Sequence, residues 1–255
     1  MKRLAIIYVI LLHVALAGVL WKSDFLDRVG RRLGASPSKP EFTDYYNRIV
    51  RYHARSVDAV PDGAVILIGD SITQGLAVAA VHPLSVNYGI GSDTTRGVLQ
   101  RLPTYMPALK RAKCIVLAIG INDGRYRSAE EAINNYAQIL DALPQNRPVV
   151  VSAILPVDNA ARGELAERKD WIDDFNSGLK HLADQRDLVT FVDSSKELDT
   201  DRDGRLDASL HDGDGVHLNS AGNIVWSSRL RDAILRQKMA EQDGAGQPAT
   251  RSESE

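Results

Sequence analysis

The chain has 255 residues, a net charge of −2, 44% hydrophobic and 25% charged residues. One globular domain of roughly 200 residues with terminal extensions fits those figures. Acids and bases are interspersed, with no basic stripe carrying aromatics, so nothing in the charge pattern points to nucleic acid. A single cysteine, Cys114, excludes an internal disulfide and reads, within the run CIVLAIG, as a small buried hydrophobe. No Cys/His cluster has metal-ligand spacing.

The N-terminus opens with Lys2 and Arg3 and continues apolar from Leu4 to Trp21. That length just suits a membrane-spanning helix, although His13 in its middle is a cost. The same stretch fits a signal peptide, with Ala15-Leu16-Ala17 as a cleavage site. Residues 1–21 are therefore expected to be a membrane anchor or a signal peptide, with the anchor preferred. Either places the rest of the protein outside the cytoplasm, in the periplasm if the source is bacterial, anchored or secreted. Residues 22–41 read as a polar linker, 42–239 as the folded domain and 240–255 as a disordered tail.

Within the domain, residues 42–57 show helical spacing, with His53 on the helix face rather than serving as a ligand. Five short apolar runs follow, at 64–69, 85–90, 114–120, 148–155 and 188–193. Helix-like segments lie between and after them, at 71–80, 94–109, 128–142, 164–185 and 220–239. Apolar strands alternating with helices mean βαβ units and a parallel sheet covered on both faces.

Ligands bind such sheets outside the carboxyl ends of the strands. The first strand ends in Gly69-Asp70-Ser71, the second in Asn87-Tyr88-Gly89, the third in Gly120-Ile121-Asn122-Asp123, and the fifth leads on to DGDGVHLNSAG. Taken singly, each has a plain reading: Ser71 as a helix cap, Asn122-Asp123-Gly124 and Asp214-Gly215-Val216-His217 as turns. Taken together they supply a hydroxyl nucleophile, a base in His217, an aspartate to orient it, and donors for an oxyanion in Asn122 and the Gly89 N–H.

These motifs resemble the SGNH hydrolases, or GDSL esterase/lipase family. Gly69-Asp70-Ser71-Ile72 matches its first block, residues 87–102 the second, Gly120-Ile121-Asn122-Asp123 the third and Asp214-Gly215-Val216-His217 the fifth. The resemblance implies an α/β, flavodoxin-like three-layer sandwich around a five-stranded parallel sheet. It implies Ser71, Asp214 and His217 as the catalytic triad, and Ser71, Gly89 and Asn122 as the oxyanion hole. It implies no metal and no organic cofactor. The stretch DTDRDGRLD (199–207) has the opening spacing of a calcium loop, but Leu210 stands where a bidentate Glu belongs, so a cation is not expected there.

The expected activity is hydrolysis of carboxylic esters, short-chain acyl groups on saccharides or small molecules in particular. The loop at 156–170 is too polar to make a greasy lid over a long chain. A lysophospholipase, a thioesterase or an O-acyltransferase would use the same triad. A carbohydrate-binding module that kept the fold without turnover is the alternative from another class.

Overall fold

The computed structural model describes residues 41–161 and 168–245, together with residues 2, 8, 12 and 13. Apart from Tyr8, Leu12 and His13, the apolar run from Leu4 to Trp21 lies outside the described residues, as does the linker as far as residue 40. The chain divides into two units, residues 1–40 and 41–255, and the fold is that of the second.

Five parallel strands form one sheet in the order β2-β1-β3-β4-β5. They are β1 Val65–Gly69, β2 Ser85–Gly89, β3 Cys114–Ala118, β4 Val149–Ser152 and β5 Val189–Val192. The helices are α1 Asp44–Ala54, α2 Ser71–Gln74, α3 Thr95–Leu109, α4 Ala129–Ala142, α5 Lys169–Asp184, α6 Ser195–Leu198 and α7 Ser220–Ala245.

Side chains alternate across a strand, and here both faces are apolar. Ile66, Ile68, Ile115, Leu117 and Val151 enter a core with Leu102 and Tyr105 of α3, Tyr136 of α4 and Phe175 of α5. Val65, Leu67, Cys114, Val116 and Val150 face the other way, onto Trp226, Leu230 and Ile234 of α7. This is the expected three-layer sandwich, with Cys114 buried in its second core.

Several helical expectations differ in extent: α1 covers Asp44–Ala54 of the expected 42–57, and of 164–185 the residues 164–167 lie outside the described residues while α5 begins at Lys169. The segment 71–80 is interrupted: α2 stops after Gln74, and a short 3-10 turn follows at Val78–Ala80. Asn87 on β2 explains the stop, because its amide donates to the carbonyls of Thr73 at 2.8 Å and Leu76 at 3.3 Å. At the far end α7 continues to Ala245, so residues 240–245, expected in a disordered tail, are helical.

The connection from β1 to β2 runs to one side of the sheet, and β3 lies on the other. A crevice opens outside the strand ends where the order reverses in this way. Gly69 pairs in register with both Gly89 and Ala118, so three strand ends face that crevice side by side.

Candidate active site

Ser71 is the first residue of α2, directly after the buried strand β1. Asp70 caps the helix, its side chain accepting the N–H of Ile72 at 3.0 Å. Gly69 has to be glycine: a Cβ there would stand 2.1 Å from Thr73 Oγ1 and 2.3 Å from the Ala118 carbonyl. The chain can therefore turn from strand to helix within two residues and leave the Ser71 hydroxyl at the sheet edge.

His217 comes to it from 146 residues further along the chain, with Nε2 2.8 Å from Ser71 Oγ. Its Nδ1 lies 2.6 Å from Asp214 Oδ2. The other Asp214 oxygen accepts the N–H groups of Val216 at 3.0 Å and His217 at 2.9 Å. Burial works upward on the Asp214 carboxyl, but those N–H donors and the imidazole outweigh it and hold it down at about 2. Asp214 is thus an anion at neutral pH, which keeps the proton on His217 Nδ1 and leaves Nε2 to accept from the serine.

Asn122 follows β3 and is buried, and its Nδ2 donates to the Asp93 carbonyl at 3.0 Å. Asp93 is held in turn by Arg101, whose side chain is fully buried and pairs with its carboxylate at 2.8 Å. The same guanidinium donates to the Tyr88 carbonyl at 2.6 Å and the Gly69 carbonyl at 3.0 Å, so one cation ties the ends of β1 and β2 to the loop behind Asn122. Asp123 anchors the next position, accepting the Thr95 N–H at 2.9 Å and hydroxyl at 2.6 Å and pairing with Arg127.

Gly89 does not fit the oxyanion role expected for it. Its N–H donates to Asn87 Oδ1 at 2.9 Å. The residue is glycine for packing, since a Cβ would stand 2.3 Å from the Gln74 nitrogen. Three residues on, Ser92 holds a left-handed φ of +64°, and its N–H finds no acceptor among the described residues. It immediately precedes Asp93, whose carbonyl orients Asn122. The sequence signal for it was a polar residue in the Gly91-Ser92-Asp93 turn, which reads equally well as an ordinary loop.

The remaining singled-out residues lie apart from this constellation. His53 packs on Tyr88 with ring centroids 4.8 Å apart and takes the Tyr105 hydroxyl at 2.9 Å. Burial first, and Arg101 second, lower its pKa to about 4. Carboxylate oxygens of Asp199, Asp201 and Asp207 gather within 4.8 Å, while Asp203 pairs with Arg205. The backbone of that loop folds onto Asp199, which accepts the N–H groups of Asp203 at 3.0 Å and Gly204 at 2.9 Å.

A crevice of about 20 Å³ at the strand ends is lined by Asp70, Ile72, Ile121, Ile154 and Trp226. Ile154 also borders a larger cavity of about 170 Å³ whose lining mixes Pro156, Val157 and Ile172 with Asn159, Lys169, Asp173 and Ser195.

A parallel sheet presenting this serine, histidine and asparagine at its strand ends has counterparts among known proteins. Residues 67–224 match the family model of GDSL-like lipases/acylhydrolases, and the chain belongs to that family of SGNH hydrolases. It is a carboxylic ester hydrolase. Platelet-activating factor acetylhydrolase IB subunit alpha1 from Bos taurus is 32% identical over 212 residues, covering 78% of this chain and 85% of that protein. The Homo sapiens subunit is 28% identical with the same coverage. A GDSL-like lipase from Bacteroides thetaiotaomicron shares the fold, with a TM-score of 0.64 and 20% identity over 76% of this chain and 99% of that one.

Proposed function

We propose that this esterase removes short acyl groups, acetyl above all, from polar alcohols such as saccharides, through a Ser71–His217–Asp214 triad. The observation that carries the reading is the unbroken relay of 2.8 Å from Ser71 Oγ to His217 Nε2 and 2.6 Å from His217 Nδ1 to Asp214. Ser71 Oγ attacks the ester carbonyl as His217 Nε2 takes its proton. The negative charge forming on the carbonyl oxygen is met by the Ser71 N–H, the Ser92 N–H and the Asn122 amide. His217 returns the proton to the leaving alcohol. Water, activated the same way, then frees the acid and the serine. Asp214 stays ionised throughout and stabilises the imidazolium.

For the acyl preference, Asp70 and Ile72, the chain neighbours of Ser71, border a crevice of only about 20 Å³, room for a group little larger than a water molecule. The bovine and human relatives are named for acetyl release, in keeping with this reading. The apolar run from Leu4 to Trp21 would hold the enzyme at a membrane surface outside the cytoplasm; retention in the membrane pellet after an alkaline carbonate wash tests that.

The triad itself is tested with Ser71→Ala. A fluorophosphonate probe should label the wild type and not the variant. Ester hydrolysis should drop by roughly 10⁴-fold or more at an unchanged melting temperature. Residual activity above about a tenth of wild type would remove Ser71 from the nucleophile's place.

A further inference from the structure

Behind the Asp214–His217 pair stands a second pairing of the same kind. His211 and Asp158 are both buried, with His211 Nε2 3.3 Å from Asp158 Oδ2. The other ring nitrogen, Nδ1, receives two main-chain N–H groups, from Gly213 at 2.9 Å and Gly215 at 3.2 Å. A nitrogen facing two donors carries the lone pair, so the ring proton sits on Nε2 and is donated to Asp158.

The two glycines flank Asp214. Their φ values are +88° and +75°, conformations that glycine reaches freely but among many others. Something outside the two residues must select them. His211 Nδ1 does so from one side of the loop. Asp158 does so from another, its N–H donating to the Gly215 carbonyl at 2.8 Å. Its carbonyl packs so closely that a Cβ at Gly215 would stand 2.3 Å away. The loop is closed by the Asp212 N–H on the His217 carbonyl at 2.8 Å.

We infer that His211, oriented by Asp158 with its proton on Nε2, is a positioning residue for the reaction: its Nδ1 lone pair fixes the Gly213–Gly215 turn and thereby aims Asp214 at His217. This rests on the esterase reading of the site. His211 touches neither substrate nor the nucleophile. It acts through the placement of Asp214, and displacement of a catalytic group by about 1 Å costs roughly 10²-fold in rate.

Two substitutions separate the two ends of the ring. His211→Asn places an amide oxygen close to the position of Nδ1 and keeps the acceptor for both glycines while losing the bond to Asp158. His211→Gln reaches Asp158 with its amide and leaves nothing at Nδ1. With p-nitrophenyl acetate and full-length protein, H211Q should lower kcat roughly 10²-fold with KM nearly unchanged, and H211N should recover most of that loss. Equal kcat values for the two variants, or an H211Q enzyme as fast as wild type, overturn the inference. Should both variants fold poorly, nitrogen-15 NMR of the wild type decides: a protonated Nε2 with a bare Nδ1 on His211 is expected, and the opposite tautomer overturns the inference. Capture of the fluorophosphonate at Ser71 in the wild type tests the esterase reading without involving His211, so the two failures are distinct.

Discussion

Asn122 Nδ2 donates to the main-chain oxygen of Asp93 across 3.0 Å. One amide hydrogen is used to fix the side chain, and the second remains for a substrate oxygen. Asn122→Ala should therefore lower kcat by roughly 10²–10³ with little change in KM, because the donor matters once charge develops. Steady-state kinetics on p-nitrophenyl acetate make the check, and an effect confined to KM would assign Asn122 to ground-state binding only.

Ser92 offers its backbone and not its hydroxyl. A left-handed φ costs an L-residue about 1–2 kcal/mol, which glycine avoids. Ser92→Gly should keep kcat within a few-fold and leave thermal stability equal or higher. Ser92→Pro removes the N–H and imposes a negative φ, so kcat should fall by roughly 10² or more. A fully active proline variant would return the oxyanion role to other groups.

Arg101 and Asp93 form an ion pair with side-chain exposures of 0% and 1%. Removing one partner leaves a buried charge alone, at about 3–5 kcal/mol. Arg101→Met should lower unfolding free energy in urea by that order. Arg101→Lys should fail to rescue it, because a single ammonium cannot span Asp93, Tyr88 and Gly69 as the guanidinium does. A melting curve superimposable on the wild type would refute the clamp.

Asp70 gives a pH signature. Burial foremost, with the Asp93 carboxylate adding, pushes its carboxyl from 3.8 up to about 7, against the pull of the Ile72 N–H. A raised carboxyl favours the folded state while protonated. Its contribution is complete below pH 3.8 and is lost as pH rises toward 7. Asp70→Asn keeps a good helix cap without the ionisation. The melting temperature of the variant relative to wild type should rise across that interval and level off above it. A difference independent of pH would mean Asp70 stays ionised in the fold.

Acyl length tests the short-acyl reading. Each methylene buried is worth about 0.8 kcal/mol only if there is a surface to bury it against. Along a p-nitrophenyl series, kcat/KM should be highest at acetate and decline by octanoate. A steady rise toward palmitate would replace the short-acyl reading with a lipid-directed one.

Much of the architecture was legible in the residues because local rules and global fold agree. Each strand is apolar on both faces, and strands such as Val65–Gly69 can be stable only between two helical layers. The abrupt polarity at Asp70 and Asn122 marked the strand ends of the candidate site for the same reason, since the apolar runs before them break off there. Element limits were less legible. Nothing local shows that Asn87 would reach across to end α2 after Gln74, since that is a contact between residues 14 positions apart.

The sequence by itself determined the layered α/β fold, the family, and the group from which the proposed catalytic residues come. The tertiary structure alone decided which donors are free. Gly89, at the end of β2, and Ser92, in the turn after it, look equally available as text, but the Asn87 side-chain oxygen accepts the first N–H, while the second has no acceptor among the described residues. It decided equally that His211 faces two glycine N–H groups while His217 faces a serine. A hydrogen bond depends on position and direction to within tenths of an ångström. Those are set by strand register and loop closure between residues far apart in the chain, and no local pattern of side chains carries that information.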